Sequence, residues 1–253
     1  MPNGGSDCCG TCWFNQKNNG VVGYGNTTKK DKVLCTIRDV EIVDPFWTYC
    51  ANHPHHNKGK IELPLGPIYV ADDYPYSRKM WMAPPDTEVI RIKLLELLDA
   101  VSADPESLFP SGINIEEEVI KQLTALKEQR AIEGLLKIVR LDIEAYKGIN
   151  DRNFRRKAII IGQAIEALLE LTDSLYIDEL KNFVTCGIET TVVEDYDEAN
   201  DNFSVIRYHL VRGLKYCTSP IAVELLHIAK NDFHREVTAF AYEILDIKLG
   251  INE

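Results

Sequence analysis

The chain has 253 residues, 45% of them hydrophobic and 26% charged, with a formal net charge of −11. These proportions are typical of a water-soluble globular protein with enough apolar material for a packed core. No apolar run approaches the length of a membrane span. The opening residues lack the basic and apolar segments of a secretory signal, so the sequence predicts a cytoplasmic protein.

The charge is distributed unevenly along the chain. Residues 1–84 carry 9 Lys and Arg against 8 Asp and Glu, whereas residues 85–253 carry 19 against 31. Affinity for nucleic acid comes largely from Lys and Arg side chains that displace counterions from phosphates. The acidic later part is therefore a poor candidate for nucleic-acid binding, and we expect a protein partner there instead.

Cysteines are concentrated near the start of the chain. Five of the seven lie within residues 8–50: Cys8, Cys9, Cys12, Cys35 and Cys50. In a reducing compartment, closely spaced cysteines are more often metal ligands or catalytic thiols than disulfides. The Cys9-x2-Cys12 pair has the spacing of a metal-binding knuckle, in which we expect Gly10 to relieve the strain of a tight turn. Residues 1–60 are too few for a large apolar core, so a bound metal would supply folding energy.

Zinc favours four tetrahedral ligands rich in cysteine, so the sequence predicts a structural Zn²⁺ in this segment. The predicted ligands are Cys9, Cys12, Cys35 and Cys50. Two replacements stay open. His53, which follows Cys50 with the spacing Cys-x2-His, would take the place of Cys35, and Cys8 would take the place of Cys9.

The segment from Cys9 to Cys50 resembles small bacterial cysteine-rich modules of the zinc-ribbon type. It departs from them because Cys35 and Cys50 do not form a second knuckle pair. The cysteine spacing is also loosely similar to that of high-potential iron proteins, and a [4Fe–4S] cluster likewise takes four cysteines. An iron–sulfur cluster and a site without metal are therefore the alternatives to zinc. A thioredoxin-like role has less support, because no strand-like segment precedes the knuckle.

Proline content predicts strands, turns and loops up to residue 85. Ten of the eleven prolines precede residue 111, and proline blocks helix interiors. Residues 33–43, VLCTIRDVEIV, are rich in Val, Ile and Thr and predict a strand or a short hairpin. Residues 61–85 lack the Gly and Ser of a flexible linker, so they predict an extended connector that packs on a neighbour.

Helical patterns follow from residue 86 to the end of the chain. Ser219 is the predicted N-cap of a helix that carries Pro220 at its first position, where the missing N–H costs nothing. The last helix is predicted to run from Asp232 to a closing Gly250.

Three short apolar segments recur in this part with a fixed period. Leu135, Leu180 and Leu225 occupy the same place in AIEGLLKIV, YIDELKNFV and IAVELLHIA and lie 45 residues apart. Longer helices with early arginines, Arg155 in one and Arg207 in the other, precede the last two segments. A period of about 40–47 residues with two antiparallel helices per unit is typical of HEAT and armadillo repeats.

Residues 114–249 resemble HEAT repeats of the short bacterial type that also occurs in phycobilisome lyases. The resemblance implies a right-handed α-solenoid of about three repeats. The predicted fold class is thus mainly α, with a small β/loop metal-binding module at the N-terminus. A helical bundle without repeats is the alternative. Because HEAT-like proteins usually present a curved surface to a partner, the resemblance implies binding rather than catalysis.

The predicted organisation is a cysteine-rich zinc-binding module at 1–60, the connector at 61–85 and the helical repeat domain at 86–253. The sequence has no phosphate-binding loop, nucleophile elbow or paired-carboxylate motif. We therefore predict a non-enzymatic adaptor that binds protein through its solenoid, with an acidic insertion at 188–202 as a candidate docking loop. The alternative is an enzyme or enzyme accessory that uses the cysteines, as an iron–sulfur electron carrier or in lyase-type chromophore handling.

Overall fold

A computed structural model describes residues 8–12, 14–18, 27–50, 53, 66–73, 77–83, 86–103, 115–141, 151–188 and 203–250. The protein is mainly helical, with small antiparallel sheets that precede the helices in the chain. It divides into two compact units, Met1–Leu123 and Thr124–Glu253. The three-part division with boundaries at 60 and 85 stays a prediction. Within the described residues, no helix combines the length and apolar character needed to cross a membrane.

Two small antiparallel sheets organise the first unit. In one, β1 (Val33–Cys35) pairs with β2 (Val40–Ile42), which confirms the hairpin predicted for residues 33–43. In the other, the strand order is β3 (Thr48–Cys50), β4 (Ile68–Asp73) and β5 (Ser77–Met82). The segment predicted as an extended connector thus contributes two strands to the sheet that begins with β3.

Isolated β-bridges join the cysteine-rich start of the chain to both sheets. Cys8 pairs with Tyr49 of β3, and Asn15 pairs with Cys35 of β1. The side chains of Cys9, Val33 and Ile42 form a buried cluster between the knuckle and the hairpin. A short segment with little regular structure is in this way held by its neighbours as well as by the hydrogen bonds of its own turns.

Two helices complete the described part of the first unit. They are α1 (Thr87–Ala103) and α2 (Ile115–Ala125). One stripe of α1 is fully buried and consists of Ile90, Leu94, Leu98 and Val101. This spacing of three or four residues places the four side chains on one face of the helix.

Packed helices form the second unit. In chain order they are α3 (Ile132–Val139), α4 (Asp151–Thr172), α5 (Ile177–Leu180), α6 (Ser204–Leu214), α7 (Pro220–Ala229) and α8 (Arg235–Leu249). A 3-10 turn, Lys181–Thr185, continues α5. Helix α4 packs against α3 and α6, and α6 packs against α7 and α8. The three leucines that define the 45-residue period are buried on α3, α5 and α7.

Two helix ends agree with the sequence prediction. The Ser219 hydroxyl accepts a hydrogen bond from the Ile221 N–H (3.3 Å), which confirms Ser219 as the N-cap of α7. Gly250 closes α8 in the left-handed region with φ 67°. An L-residue with a side chain rarely adopts that conformation, which explains the glycine.

The predicted start of the last helix is wrong by three residues. Helix α8 begins at Arg235 rather than at Asp232. The Asp232 carboxylate accepts a hydrogen bond from the His234 N–H (2.8 Å) and forms an ion pair with Arg207. Asp232 is therefore held in the turn before the helix, where its side chain has partners that a helical position would not offer.

Candidate metal centre

Four cysteines from three separate segments of the first unit line one cavity. They are Cys9 and Cys12 of the knuckle, Cys35 at the end of β1 and Cys50 at the end of β3. The other lining residues are apolar except for two, and comprise Phe14, Val33, Ile37, Ile42, Ile68, Asn15 and Arg38. The cavity has a volume of about 20 Å³. The fold thus brings all four of the sequence-predicted ligands to one place.

A 3-10 turn, Cys9–Thr11, places the first two thiols of the cavity. The Cys12 N–H donates to the Cys9 carbonyl (3.4 Å), which closes the turn. The Gly10 N–H donates to the carbonyl of Pro45 (2.9 Å) in the loop that leads into β3. The knuckle and the strand that ends in Cys50 are therefore tied to each other through the backbone.

Gly10 is required for space rather than for backbone conformation. A Cβ atom at Gly10 would lie 2.8 Å from the ring of Phe46, closer than carbon atoms pack. Among the described glycines, positive φ angles occur at Gly187 and Gly250. The expectation that Gly10 relieves turn strain is thus replaced by a steric reason, the approach of the Phe46 ring.

Buried amide side chains hold the carbonyl groups of the knuckle. Asn15 Nδ2 donates to the Cys9 carbonyl (3.1 Å) and to Thr27 Oγ1 (2.9 Å). Asn18 Nδ2 donates to the Cys12 carbonyl (3.2 Å), and Thr27 Oγ1 donates to Asn18 Oδ1 (2.9 Å). Networks of this kind around a metal site orient its ligands. We therefore regard Asn15 and Asn18 as positioning residues for the first two thiols.

Cys9 is buried, Cys12, Cys35 and Cys50 are half-buried, and the thiols are close enough to affect one another. Burial raises the pKa of the Cys9 thiol well above its usual range, and the thiols of Cys12, Cys35 and Cys50 raise it further. Burial also raises the pKa of Cys12, again with added repulsion from Cys35 and Cys50. For Cys35, burial raises the pKa to about 11 although Arg38 acts in the opposite direction. A bound cation would remove this penalty and deprotonate the thiols.

Arg38 is a buried charged residue of the cavity wall. It is only 7% exposed, and its Nη2 donates to the Sγ of Cys50 (2.9 Å) and to the carbonyl of Gly66. Its Nη1 is also buried and has no hydrogen-bond partner among the described residues. A buried guanidinium with an unpaired N–H is costly unless negative charge lies beside it. The buried positive charge of Arg38 would therefore stabilise cysteine side chains of the cavity in their thiolate form.

The two alternative ligands lie outside the cavity wall. Cys8 is buried with its Sγ 3.9 Å from Thr11 Oγ1. His53 is 1% exposed, and its Nε2 lies 3.0 Å from the same hydroxyl. Cys8 and His53 thus take part in a buried arrangement around Thr11.

Sequence reasoning missed Arg38, Asn15 and Asn18. The turn after β1 carries Arg38 back toward Cys35, because the Arg38 N–H donates to the Cys35 carbonyl (3.2 Å). A basic residue three positions after a cysteine in a predicted hairpin is the signal that could have indicated it. The asparagines gave no such signal, since Asn is common in any polar loop.

In the described part of the chain, no three His, Cys, Asp or Glu side chains form a group already arranged to hold a metal ion. The four cysteines nevertheless line one cavity. The remaining cysteines, Cys186 and Cys217, belong to the second unit.

Comparisons with known protein families, with characterised proteins and with solved structures find no match to this chain.

Proposed function

We propose that this protein is a non-enzymatic adaptor with two functional parts. A metal centre held by Cys9, Cys12, Cys35 and Cys50 stabilises the N-terminal module, and helical repeats of the HEAT type bind a protein partner. The observation that carries the proposal is the cavity, in which thiols from three segments meet. Structural Zn²⁺ is the centre that the sequence predicts, with an iron–sulfur cluster as its alternative.

The energetics of the module favour a metal. The strands β1, β2 and β3 have three residues each, which gives little sheet hydrogen bonding to hold the segment together. Four neutral thiols around an empty space contribute little packing, because the cavity lining lacks partner atoms on one side. Metal binding joins the three segments and supplies folding free energy directly.

Contacts between successive helix pairs support the HEAT-like part of the proposal. Several contacts join residues 43 to 45 positions apart: Lys127 with Glu170, Glu166 with His209, Asp173 with Thr218, and Ser174 with Ser219. Such a spacing means that equivalent positions of neighbouring helix pairs meet. Stacked repeats of one supersecondary unit produce this pattern, in which each unit contacts its neighbours.

Exposed apolar side chains on the last helix suit a binding role. Tyr242, Ile247 and Leu249 of α8 are 52%, 64% and 53% exposed. Large apolar groups in solvent are unfavourable, and a partner protein would cover them. The candidate docking loop at 188–202 lies outside the described residues apart from Ile188, so its role rests on its acidic sequence.

The metal centre is tested by metal content. We expect Cys12→Ser and Cys35→Ser each to remove nearly all bound metal from the purified full chain, because each removes one of four ligands. Cys186→Ser is the matched control, since Cys186 is a half-buried cysteine of the second unit. Metal that remains in both cavity variants at the control level would overturn the metal-centre part of the proposal.

The adaptor role is tested by complex formation. The tagged full chain should retain a defined protein partner in stoichiometric amounts. We expect replacement of residues 189–201 by a neutral linker of equal length, or the double change Tyr242→Ser and Ile247→Ser, to weaken that complex at least tenfold. A complex of unchanged affinity in both variants would show that neither surface binds the partner.

A further inference from the structure

We infer that the cysteine cavity is built for a [4Fe–4S] cluster rather than for a single Zn²⁺ ion. This inference rests on the proposed metal centre and names its chemical class. It draws on the size of the cavity, the distribution of its ligands, its apolar wall and the buried Arg38.

The size of the cavity separates the two candidate centres. In a tetrahedral zinc–thiolate site each sulfur lies about 2.3 Å from the ion, so the four sulfurs leave no room for a water molecule between them. Here the four cysteines line a cavity of about 20 Å³, and among the described residues no three His, Cys, Asp or Glu side chains are placed to hold a single ion. The cavity that the thiols line therefore suits a group larger than one ion. A cube of four irons and four sulfides is such a group.

The ligand distribution matches the symmetry of the cluster. A [4Fe–4S] cluster takes one cysteine at each iron. The four thiols come from the knuckle, from the end of β1 and from the end of β3, and each of them interacts electrostatically with the other three. Ligands that approach from several segments can enclose a compact cofactor.

The wall of the cavity is suited to a cofactor that must be kept from water. Most of the lining besides the cysteines is apolar and at most 3% exposed, and consists of Phe14, Val33, Ile37, Ile42 and Ile68. Exclusion of solvent is one of the features through which a protein protects an iron–sulfur cluster and sets its potential. A structural zinc site has no such need, because zinc is redox-inert.

Arg38 supplies a positive charge that would partly compensate the negative charge of an iron–sulfur centre with four thiolates. Its guanidinium donates to Cys50 Sγ and keeps one buried N–H without a partner among the described residues. Hydrogen bonds to the ligand sulfurs and nearby positive charge both favour the reduced, more negative form of a cluster. Arg38 is thus a positioning and charge-compensating residue for the cofactor, whereas the four cysteines are its ligands.

The decisive experiment is the cofactor content of the full chain, produced in iron-supplied cells and purified without oxygen. We expect about four iron atoms and about four acid-labile sulfides per chain, with the broad visible absorption of a cluster. About one zinc per chain with no iron or sulfide would overturn the cluster but leave the metal centre in place. A chain that binds neither metal, even after reconstitution with iron and sulfide or with Zn²⁺, would overturn both proposals.

A second variant separates the role of Arg38 from the folding of the module. We expect Arg38→Met to keep iron and sulfide but to lower the reduction potential of the cluster, because the positive charge and the hydrogen bond to Cys50 Sγ are lost. Arg38→Lys keeps the charge and should give a potential between the two. Voltammetry of the three proteins is the measurement, and equal potentials would show that Arg38 does not act on the cofactor.

Discussion

At the scale of single residues, Arg207 and Asp232 form a fully buried ion pair in the second unit. Both side chains are 1% exposed, and two nitrogens of the guanidinium contact the two carboxylate oxygens at 2.6 and 3.1 Å. Arg207 Nη1 also donates to the Cys186 carbonyl (2.8 Å). The pair therefore joins the start of α6, the turn after the α5 segment and the turn before α8.

We expect Asp232→Asn to lower the free energy of unfolding by about 3 kcal/mol or more, because it leaves a buried guanidinium without its counter-charge. The control is Asp178→Asn. Asp178 pairs with Lys181 at the surface, where its side chain is 73% exposed, and exposed pairs contribute at most about 1 kcal/mol. Urea unfolding followed by far-UV circular dichroism measures both variants. Equal small losses would mean that the buried pair adds nothing beyond its packing.

Residue spacing predicted part of the candidate site. Four cysteines within 42 positions of one another, with one Cys-x2-Cys pair, pointed to the same set that the cavity brings together. Spacing could not show that His53 lies beside Thr11 or that Arg38 reaches Cys50. Those contacts depend on how the turn after β1 and the end of β3 meet in space, and no local pattern records that.

At the scale of elements, α4 and α6 approach each other closely at two glycines. A Cβ on Gly162 of α4 would lie 2.8 Å from the His209 ring and 3.1 Å from the Val205 carbonyl oxygen. A Cβ on Gly213 of α6 would lie 2.8 Å from a terminal methyl of Leu169. Gly162 meets firmer neighbours, because the His209 ring is held by a 2.7 Å contact from its Nδ1 to Glu166 and cannot easily move away.

We expect Gly162→Ala to destabilise the protein, whereas Gly213→Ala should be close to neutral. Alanine gains about 1 kcal/mol in helix propensity over glycine at either position. Overpacking costs about 1–3 kcal/mol when the surrounding atoms cannot yield, which applies to Gly162. Beside Gly213 the Leu169 methyl can rotate away, but the Cα of Glu166 and the Cβ of Leu169, both at 3.2 Å, must still move slightly, so the two terms roughly cancel there. Thermal unfolding of the two variants decides this, and a stabilised Gly162→Ala protein would contradict the close helix contact.

Local patterns predicted the type of the elements better than their ends. The hairpin at 33–43 and the Ser219 cap follow from short-range chemistry, and both are confirmed. The predicted start of α8 was wrong because the Asp232 side chain forms an ion pair with Arg207, 25 positions earlier in the chain. A tertiary ion pair thus overrides the local capping preference, and it cannot be recognised from the residues around Asp232 alone.

At the scale of the whole molecule, the two units carry different spectroscopic reporters. All three tryptophans, Trp13, Trp47 and Trp81, belong to the first unit, Met1–Leu123. Most of the described α-helical residues belong to the second unit, Thr124–Glu253. Each unit has buried apolar residues of its own, such as Ile42 and Ile68 in the first and Leu168 and Leu210 in the second. Tryptophan fluorescence and far-UV circular dichroism should therefore follow different parts of the chain.

Loss of the metal centre should change the unfolding transition seen by tryptophan fluorescence and leave the one seen by far-UV circular dichroism unchanged. We expect Cys12→Ser in the full chain to move the urea transition of tryptophan fluorescence to lower concentration, because the module loses the folding free energy supplied by metal. The main transition of the far-UV signal should stay within error of the unmodified chain, since helices α3–α8 belong to the other compact unit. Cys186→Ser is again the control and should leave the fluorescence transition unchanged. If both signals of Cys12→Ser shifted together by the same amount, the chain would unfold as one cooperative unit, and the metal centre would stabilise the helices as well.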